Sequence, residues 1–378
     1  MKGKLNRVMI SGGGTGGHIF PAISIANEIR RRYPKCEINF VGARRRMEEE
    51  KVPAAGYDII LLPVQGLSRD KNPIKLFHTL RKLAASRLQI RREIKRLRPE
   101  IVIGVGGYAS APTLMEANRL KIPTLVQEQN SFAGKTNKLV GKKAETICVA
   151  YKNMERFFPA GKRILLAGNP VRKELAEVPH HSIEAYRYFG LDPNKKTILA
   201  IGGSLGARTI NHSIADAVDR IANSGSAIQL IWQCGKSYID EGRALLKSKG
   251  LEESNIKLMD FIHQMDYAYA ASDLVISRAG ASSISELCML GKPSILVPSP
   301  NVAEDHQTKN AQALVDERAA EMISDADAPR LLLPRALELV LQEEELQHIG
   351  QNALKLALPD ADRTIVDEIE RIVEAYRK

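Results

Sequence analysis

The stretch Ser11-Gly-Gly-Gly-Thr-Gly-Gly-His-Ile-Phe-Pro21 decides how the rest of the chain is read. An apolar run, Val8-Met-Ile10, precedes it, and a helical pattern over residues 19–32 follows. A strand that stops in glycines and restarts as a helix gathers backbone N–H groups at the positive end of that helix. Such a turn suits a phosphate or another developing negative charge. His18 stands where the helix begins. The same residues satisfy the dinucleotide fingerprint Gly12-x-Gly14-x-x-Gly17, a weak signal when it stands alone.

Outward from this turn, short apolar runs alternate with amphipathic ones. Strand patterns fall at 8–11, 38–42, 58–62, 101–105, 124–127 and 146–149, with helical patterns at 19–32, 44–55, 73–97, 109–120 and 133–142. Apolar strands without polar alternation, separated by amphipathic helices, predict a parallel sheet covered on both faces, a doubly wound α/β domain. After the turn-rich segment Gly168-Asn-Pro-Val-Arg172 the pattern restarts. A strand at 197–201 runs into Gly202-Gly-Ser-Leu-Gly-Ala207 and a helix over 208–222, and strands follow at 228–233, 256–259, 274–277 and 294–297. The chain is therefore expected to form two Rossmann-like doubly wound domains, 1–168 and 169–359, facing each other across a cleft. A C-terminal helix, 360–378, is expected to return to the first.

Composition bounds the function. At 378 residues and 44% hydrophobic content, the chain can bury the cores of two domains. Cys36, Cys148, Cys234 and Cys288 form no CxxC pair and lie in apolar runs, which predicts buried free thiols and no metal site. The first residues carry no apolar signal core, and no apolar run approaches the roughly 20 residues of a membrane-spanning helix. A cytoplasmic protein that is not integral to the membrane is expected. The net charge of +11 favours an anionic partner, and much of it sits in Arg44-Arg45-Arg46 and between Arg69 and Arg98. Nucleic acid is disfavoured: aromatics are 5% and no recognition-helix, zinc-finger or RNP pattern occurs.

A nicotinamide dinucleotide site wants an acid at the end of the second strand, which here reads Val41-Gly-Ala-Arg44. Arginines there can accept a 2′-phosphate, so an NADP-binding oxidoreductase remains an alternative. It leaves the second glycine loop without a role. Ser277-Arg-Ala-Gly-Ala-Ser-Ser-Ile-Ser-Glu286 again runs from a strand through glycine into a helix, and a glutamate one turn inside can accept from a ribose diol. In Glu304-Asp-His-Gln-Thr-Lys-Asn310, carboxamides and hydroxyls at a strand-to-helix mouth suit sugar hydroxyls, although alone they also read as capping chemistry.

Taken in order, Gly13–His18, Gly106-Gly107-Tyr108, Glu128-Gln129-Asn130, Gly168–Arg172, Gly202-Gly203-Ser204-x-Gly206-Ala207, Ser277–Gly280 and Asp305-x-Gln307 resemble the MurG family. These are the UDP-N-acetylglucosamine–N-acetylmuramyl-(pentapeptide) pyrophosphoryl-undecaprenol N-acetylglucosamine transferases of peptidoglycan synthesis. The resemblance implies a GT-B glycosyltransferase that inverts the anomeric carbon, with no metal and no cofactor. A C-terminal donor domain would take UDP-N-acetylglucosamine (UDP-GlcNAc), and an N-terminal domain would take the lipid-linked acceptor, lipid I. Carried over, the donor contacts fall on Thr15, Gly16, Gly17, Asn130, Arg172, Ser204, Ile262, Ala281, Ser282, Ser283, Ile284, Ser285, Glu286 and Gln307. Ser204 would hold the diphosphate, Ile262 the uracil through backbone groups, Glu286 the ribose, and Gln307 with Asn130 the sugar. Some relatives carry a second glutamine where this chain has Thr308.

His18 is the candidate general base and Glu128 a reserve candidate, with helix capping or phosphate contact as the alternative role for His18. Ile74, Phe77, Leu80 and Lys82 lie at helical spacing in the basic span and are expected to face an anionic inner leaflet, unless they pack on the sheet. The expected location is the cytoplasmic face of the plasma membrane, with other cell-wall and division proteins as further partners. Two readings stand beside this one: another GT-B glycosyltransferase with a lipid acceptor, and a nucleotide-sugar binding protein without catalysis.

Overall fold

The computed structural model describes residues 5–64, 73–171, 175, 179–203, 205–223, 227–252 and 254–378, without the side chains of 73–76, 80 and 303. The chain divides into two compact units, 1–171 with 358–378 and 172–357.

Among the described residues, unit 1 carries seven strands: β1 Arg7–Ser11, β2 Glu37–Ala43, β3 Asp58–Leu62, β4 Ile101–Gly104, β5 Thr124–Glu128, β6 Thr146–Val149 and β7 Arg163–Leu166. Their order is β3-β2-β1-β4-β5-β6-β7, every pair parallel. Five helices connect them: α1 Gly16–Arg32, α2 Glu48–Ala54, α3 Pro73–Leu97, α4 Ser110–Arg119 and α5 Lys135–Gly141. Along β1 the side chains alternate between two cores. Val8 and Ile10 meet Ile25 and Ile29 of α1, whereas Met9 packs with Ile90 and Ile94 of α3 and Leu114 of α4. Both faces are buried, which is why the strands read as unbroken apolar runs. Each fully buried side chain of this kind contributes roughly 1.5–3 kcal/mol relative to an exposed one.

The C-terminal helix, Ala361–Arg377, adds Ile365, Ile369 and Ile372 to the core beneath α1. Its Glu368 is buried and accepts from Arg163, Arg371 and Thr146, and its Glu370 pairs with Arg32 of α1 at 2.9 Å. Burial opposes ionisation of Glu368, but those three donors outweigh it and hold the carboxyl at about 2.

Unit 2 repeats the plan with β8 Lys196–Ile201, β9 Ile228–Gln233, β10 Ile256–Met259, β11 Leu274–Ser277, β12 Ser294–Leu296 and β13 Glu321–Met322. The order is β10-β9-β8-β11-β12-β13, again all parallel. Its helices are α6 Ile183–Phe189, α7 Arg208–Ala215, α8 Val218–Ala222, α9 Ile239–Ser248, α10 Met265–Ala271, α11 Ala281–Met289, α12 His306–Val315, α13 Ala328–Leu339 and α14 Glu343–Lys355. The single helix expected over 208–222 is broken at Asp216–Ala217 into α7 and α8, because Ala217 leaves the helical region with φ −129°. Trp232, Ile210, Ile214, Leu332 and Leu339 form much of one core with Ile198 and Ile276. The four cysteines are buried free thiols, and burial pushes Cys36 and Cys288 up to about 12 and Cys234 to about 11. No helix among the described residues is long and apolar enough to cross a membrane.

Candidate functional site

In a doubly wound sheet, ligands bind outside the carboxyl ends of the strands where the strand order reverses. In unit 1 the order reverses between β1 and β4, and the loops leaving those strands, 12–15 and 105–109, lie side by side. A Cβ on Gly107 would fall 2.3 Å from the Gly13 carbonyl oxygen, and one on Gly106 would fall 2.8 Å from the His18 ring. Glycine is required there twice over, because both residues also have positive φ, +84° and +96°.

Thr15 caps α1 with extended backbone and is exposed, and Gly16, Gly17 and His18 form the first turn. The His18 Nδ1 lies 3.1 Å from the Gly13 carbonyl oxygen and 3.3 Å from Thr15 Oγ1. Asn130 follows β5 and is partly buried. Glu128, 1% exposed, accepts at Oε1 from the Asn130 N–H and Nδ2 at 3.0 and 3.2 Å. Its Oε2 accepts from the Gly134 N–H and Asn137 Nδ2 at 3.0 and 2.8 Å. The carboxylate that stands in reserve as a base is thus engaged in shaping the loop that carries Asn130.

In unit 2 the order reverses between β8 and β11, which brings the second glycine loop beside Ser277–Gly280. Gly206 and Gly235 make this a backbone-on-backbone contact. A Cβ on Gly206 would meet the Cys234 carbonyl at 2.1 Å, and one on Gly235 the Leu205 carbonyl at 2.3 Å. Gln233 Nε2 donates to the Gly203 carbonyl at 2.8 Å, and Leu205 stands 82% exposed at the tip. Arg278 bridges to the Val297 and Pro298 carbonyls at 3.0 and 3.2 Å and to Asp325 at 2.5 Å, and Asp325 also accepts from Thr209 of α7 at 2.9 Å. That network ties the two loops to one another.

Gly280 caps α11, so Ala281, Ser282 and Ser283 provide first-turn N–H groups. The Ser282 Oγ is shielded from solvent with no hydrogen-bond partner among the described residues. Glu286 is partly buried and accepts from the Tyr269 hydroxyl at 3.0 Å. Ser285 donates back to the Ala281 carbonyl, and Ile284 turns into the core. Ile262 is 4% exposed, so its side chain is internal and only its backbone is available. Glu304 and Asp305 both hold positive φ, 58° and 52°, immediately before α12. Two consecutive non-glycine residues in that region store strain of a kind that collects at functional sites. Gln307 Oε1 accepts from the Ser299 N–H at 2.8 Å, and Thr308 Oγ1 donates to Asp305 at 2.7 Å. Arg172 and Ser204 lie outside the described residues.

On α3, Phe77 is 61% exposed and Lys82 partly buried, while the side chains of Ile74 and Leu80 lie outside the described residues. Leu88, three turns along, is also exposed. Sequence reasoning missed Glu48, Tyr269 and Asp325. Glu48 carried a weak signal: it is the acid absent from the end of β2, displaced five residues and turned toward the glycine loop instead of a ribose.

Two parallel Rossmann-like sheets, each with a glycine turn at its switch point, give the GT-B architecture, and the family match makes the class a glycosyltransferase. The chain matches the glycosyltransferase family 28 N-terminal domain over residues 8–149 and the family's C-terminal domain over 197–365. A UDP-N-acetylglucosamine–N-acetylmuramyl-(pentapeptide) pyrophosphoryl-undecaprenol N-acetylglucosamine transferase of Phocaeicola vulgatus is 56% identical over 98% of this chain and 98% of its own. The protein of the same name from Parabacteroides distasonis is 55% identical over 97% and 98%. Among solved structures, Acinetobacter baumannii MurG aligns with TM-score 0.75 and 27% identity over 97% of this chain and 99% of that one. A putative UDP-N-acetylglucosamine 2-epimerase from Listeria monocytogenes, 16% identical with TM-score 0.70 over 99% and 98%, shares the fold. The chain belongs to the MurG family of glycosyltransferase family 28.

Proposed function

We propose that this chain transfers N-acetylglucosamine from UDP-GlcNAc to the 4-hydroxyl of N-acetylmuramic acid in undecaprenyl-pyrophosphoryl-MurNAc-pentapeptide, turning lipid I into lipid II and releasing UDP. The observation that carries this reading is identity above 50% over nearly the whole chain to proteins named for that transfer.

The acceptor oxygen attacks C1 from the face opposite UDP, so the anomeric centre inverts. Negative charge grows on the β-phosphate as the C1–O bond breaks. Main-chain N–H groups of the loop around Ser204 and of the first turn of α11 offset it, and no resident cofactor takes part. Glu286, oriented by Tyr269, takes the ribose diol, and the Ile262 backbone meets the uracil. The Arg172 guanidinium adds positive charge toward the donor. Gln307, and on unit 1 Asn130 with the Thr15–Gly17 turn, address the sugar. His18 removes the acceptor proton, a contribution typically worth about 10²–10⁴ in rate.

The exposed Phe77 and Leu88, set among the basic residues of α3, support docking on an anionic membrane surface at the cytoplasmic face, where the acceptor's lipid tail resides. Other cell-wall and division proteins would be met there. Purified protein incubated with labelled UDP-GlcNAc and lipid I should yield lipid II and UDP in equal amounts, and UDP-glucose should be a poor donor. Release of UDP without lipid II, or conversion of the donor to its 2-epimer, would refute the assignment.

A further inference from the structure

Glu48 is 1% exposed beneath the first glycine loop, and the roles assigned above leave it unused. One oxygen accepts from the Ala43 N–H at 3.0 Å and the other from the Gly14 N–H at 2.8 Å. The Gly14 N–H belongs to the same peptide group as the Gly13 carbonyl, whose oxygen lies 3.1 Å from His18 Nδ1. A carbonyl oxygen only accepts, so a bond to it requires the proton on Nδ1 and leaves the ring lone pair on Nε2, with the Thr15 hydroxyl 3.3 Å away as a second acceptor for that proton. Hydrogen bonds in series polarise one another, so a carboxylate on the N–H end strengthens the carbonyl end as an acceptor.

We propose that Glu48 is a positioning residue for His18, acting through the Gly13–Gly14 peptide. Carboxylate, peptide and imidazole form a relay that fixes the Nδ1–H tautomer and stabilises the imidazolium formed during transfer. The inference rests on His18 being the base. In the step, the acceptor O–H proton passes to Nε2 and the oxygen's electron pair forms the bond to C1. The C1–O bond to the β-phosphate breaks with its pair going to UDP. Glu48 gains no proton.

The packing is shaped around this relay. A Cβ on Gly13 would lie 2.2 Å from Glu48 Oε1 and one on Gly42 2.5 Å from Glu48 Cγ. Gly106 and Gly107 leave the same clearance at the His18 ring and at the Gly13 carbonyl. Gly13 and Gly14 themselves take φ of +150° and +93°, which aims one peptide at both partners. The first turn of α2, where Glu48 sits, favours an anion as well.

Side-chain nitrogen NMR of the intact protein tests this together with kinetics. His18 should show the Nδ1–H pattern, and an Nε2–H pattern overturns the relay even if no Glu48 variant folds. Glu48→Gln can satisfy only one of the two N–H groups. It should lower kcat at least about tenfold with the UDP-GlcNAc KM within about twofold, and mix the tautomers. Added to His18→Ala, it should cost nothing further in kcat. Unchanged kcat and tautomer in Glu48→Gln, or an equal loss in the His18→Ala background, overturns the inference. If His18→Ala alone keeps its turnover, the base assignment fails, whereas the NMR pattern still decides the tautomer.

Discussion

The two glycine turns follow one plan and are braced by different chemistry. In unit 1 the loop between β1 and α1 has a buried carboxylate under it and an imidazole against it, so the brace is charged and ends in a group able to take a proton. In unit 2 the loop between β8 and α7 is held by a carboxamide and by backbone packed on backbone, with Arg278 and Asp325 set to one side. That arrangement leaves main-chain dipoles as its chemistry, which suits a diphosphate. The glycine pattern thus reports a backbone shape. On the roles proposed above, side chains outside the glycine pattern decide whether the turn moves a proton or holds an anion.

The largest effect expected from breaking this contrast lies in unit 1. Gly107→Ala drives a methyl group into the Gly13 carbonyl and should lower kcat by about 10²–10⁴ while calorimetry shows UDP binding within about threefold. In unit 2, Thr308→Val removes the bond to Asp305 that steadies the strained entrance to α12. A lost hydrogen bond worth about 1 kcal/mol should raise the UDP-GlcNAc KM several-fold with little change in kcat. The smallest effect concerns the helix that anchors unit 1. Glu368, depressed to about 2 when folded, adds stability that is complete above the ordinary carboxylate range and is lost as pH falls toward 2. The melting temperature of Glu368→Gln should therefore change less than that of the parent between pH 5 and 3, readable by calorimetry.

Much of this architecture is legible in the chain. Residues 8–11 and 274–277 read as strands because both faces of a parallel sheet are buried, and that leaves an apolar run. Two of the four edge strands, β7 and β13, escaped because they lack such a run. Arg163 and Leu166 of β7 are exposed, and β13 is two residues long, so neither shows a continuous apolar pattern. The helix expected from residue 44 begins at Glu48 because Arg45 takes φ +60°. At the site, glycine turns announce themselves by composition. Their braces do not, since Gly14 and Glu48 are 34 residues apart and Arg278 and Asp325 are 47 apart. Such pairings arise from sheet order, which local spacing does not encode.

The division of labour between the two turns is tested most directly by titrating UDP into His18→Ala and Glu286→Ala and measuring single-turnover transfer to lipid I in parallel. Glu286→Ala should lose about tenfold to a hundredfold in UDP affinity, in keeping with charge-assisted hydrogen bonds, and keep its turnover at saturating donor. His18→Ala should bind UDP normally and lose about 10²–10⁴ in turnover. Loss of UDP affinity in His18→Ala as large as that in Glu286→Ala, with turnover at saturation intact, would contradict it.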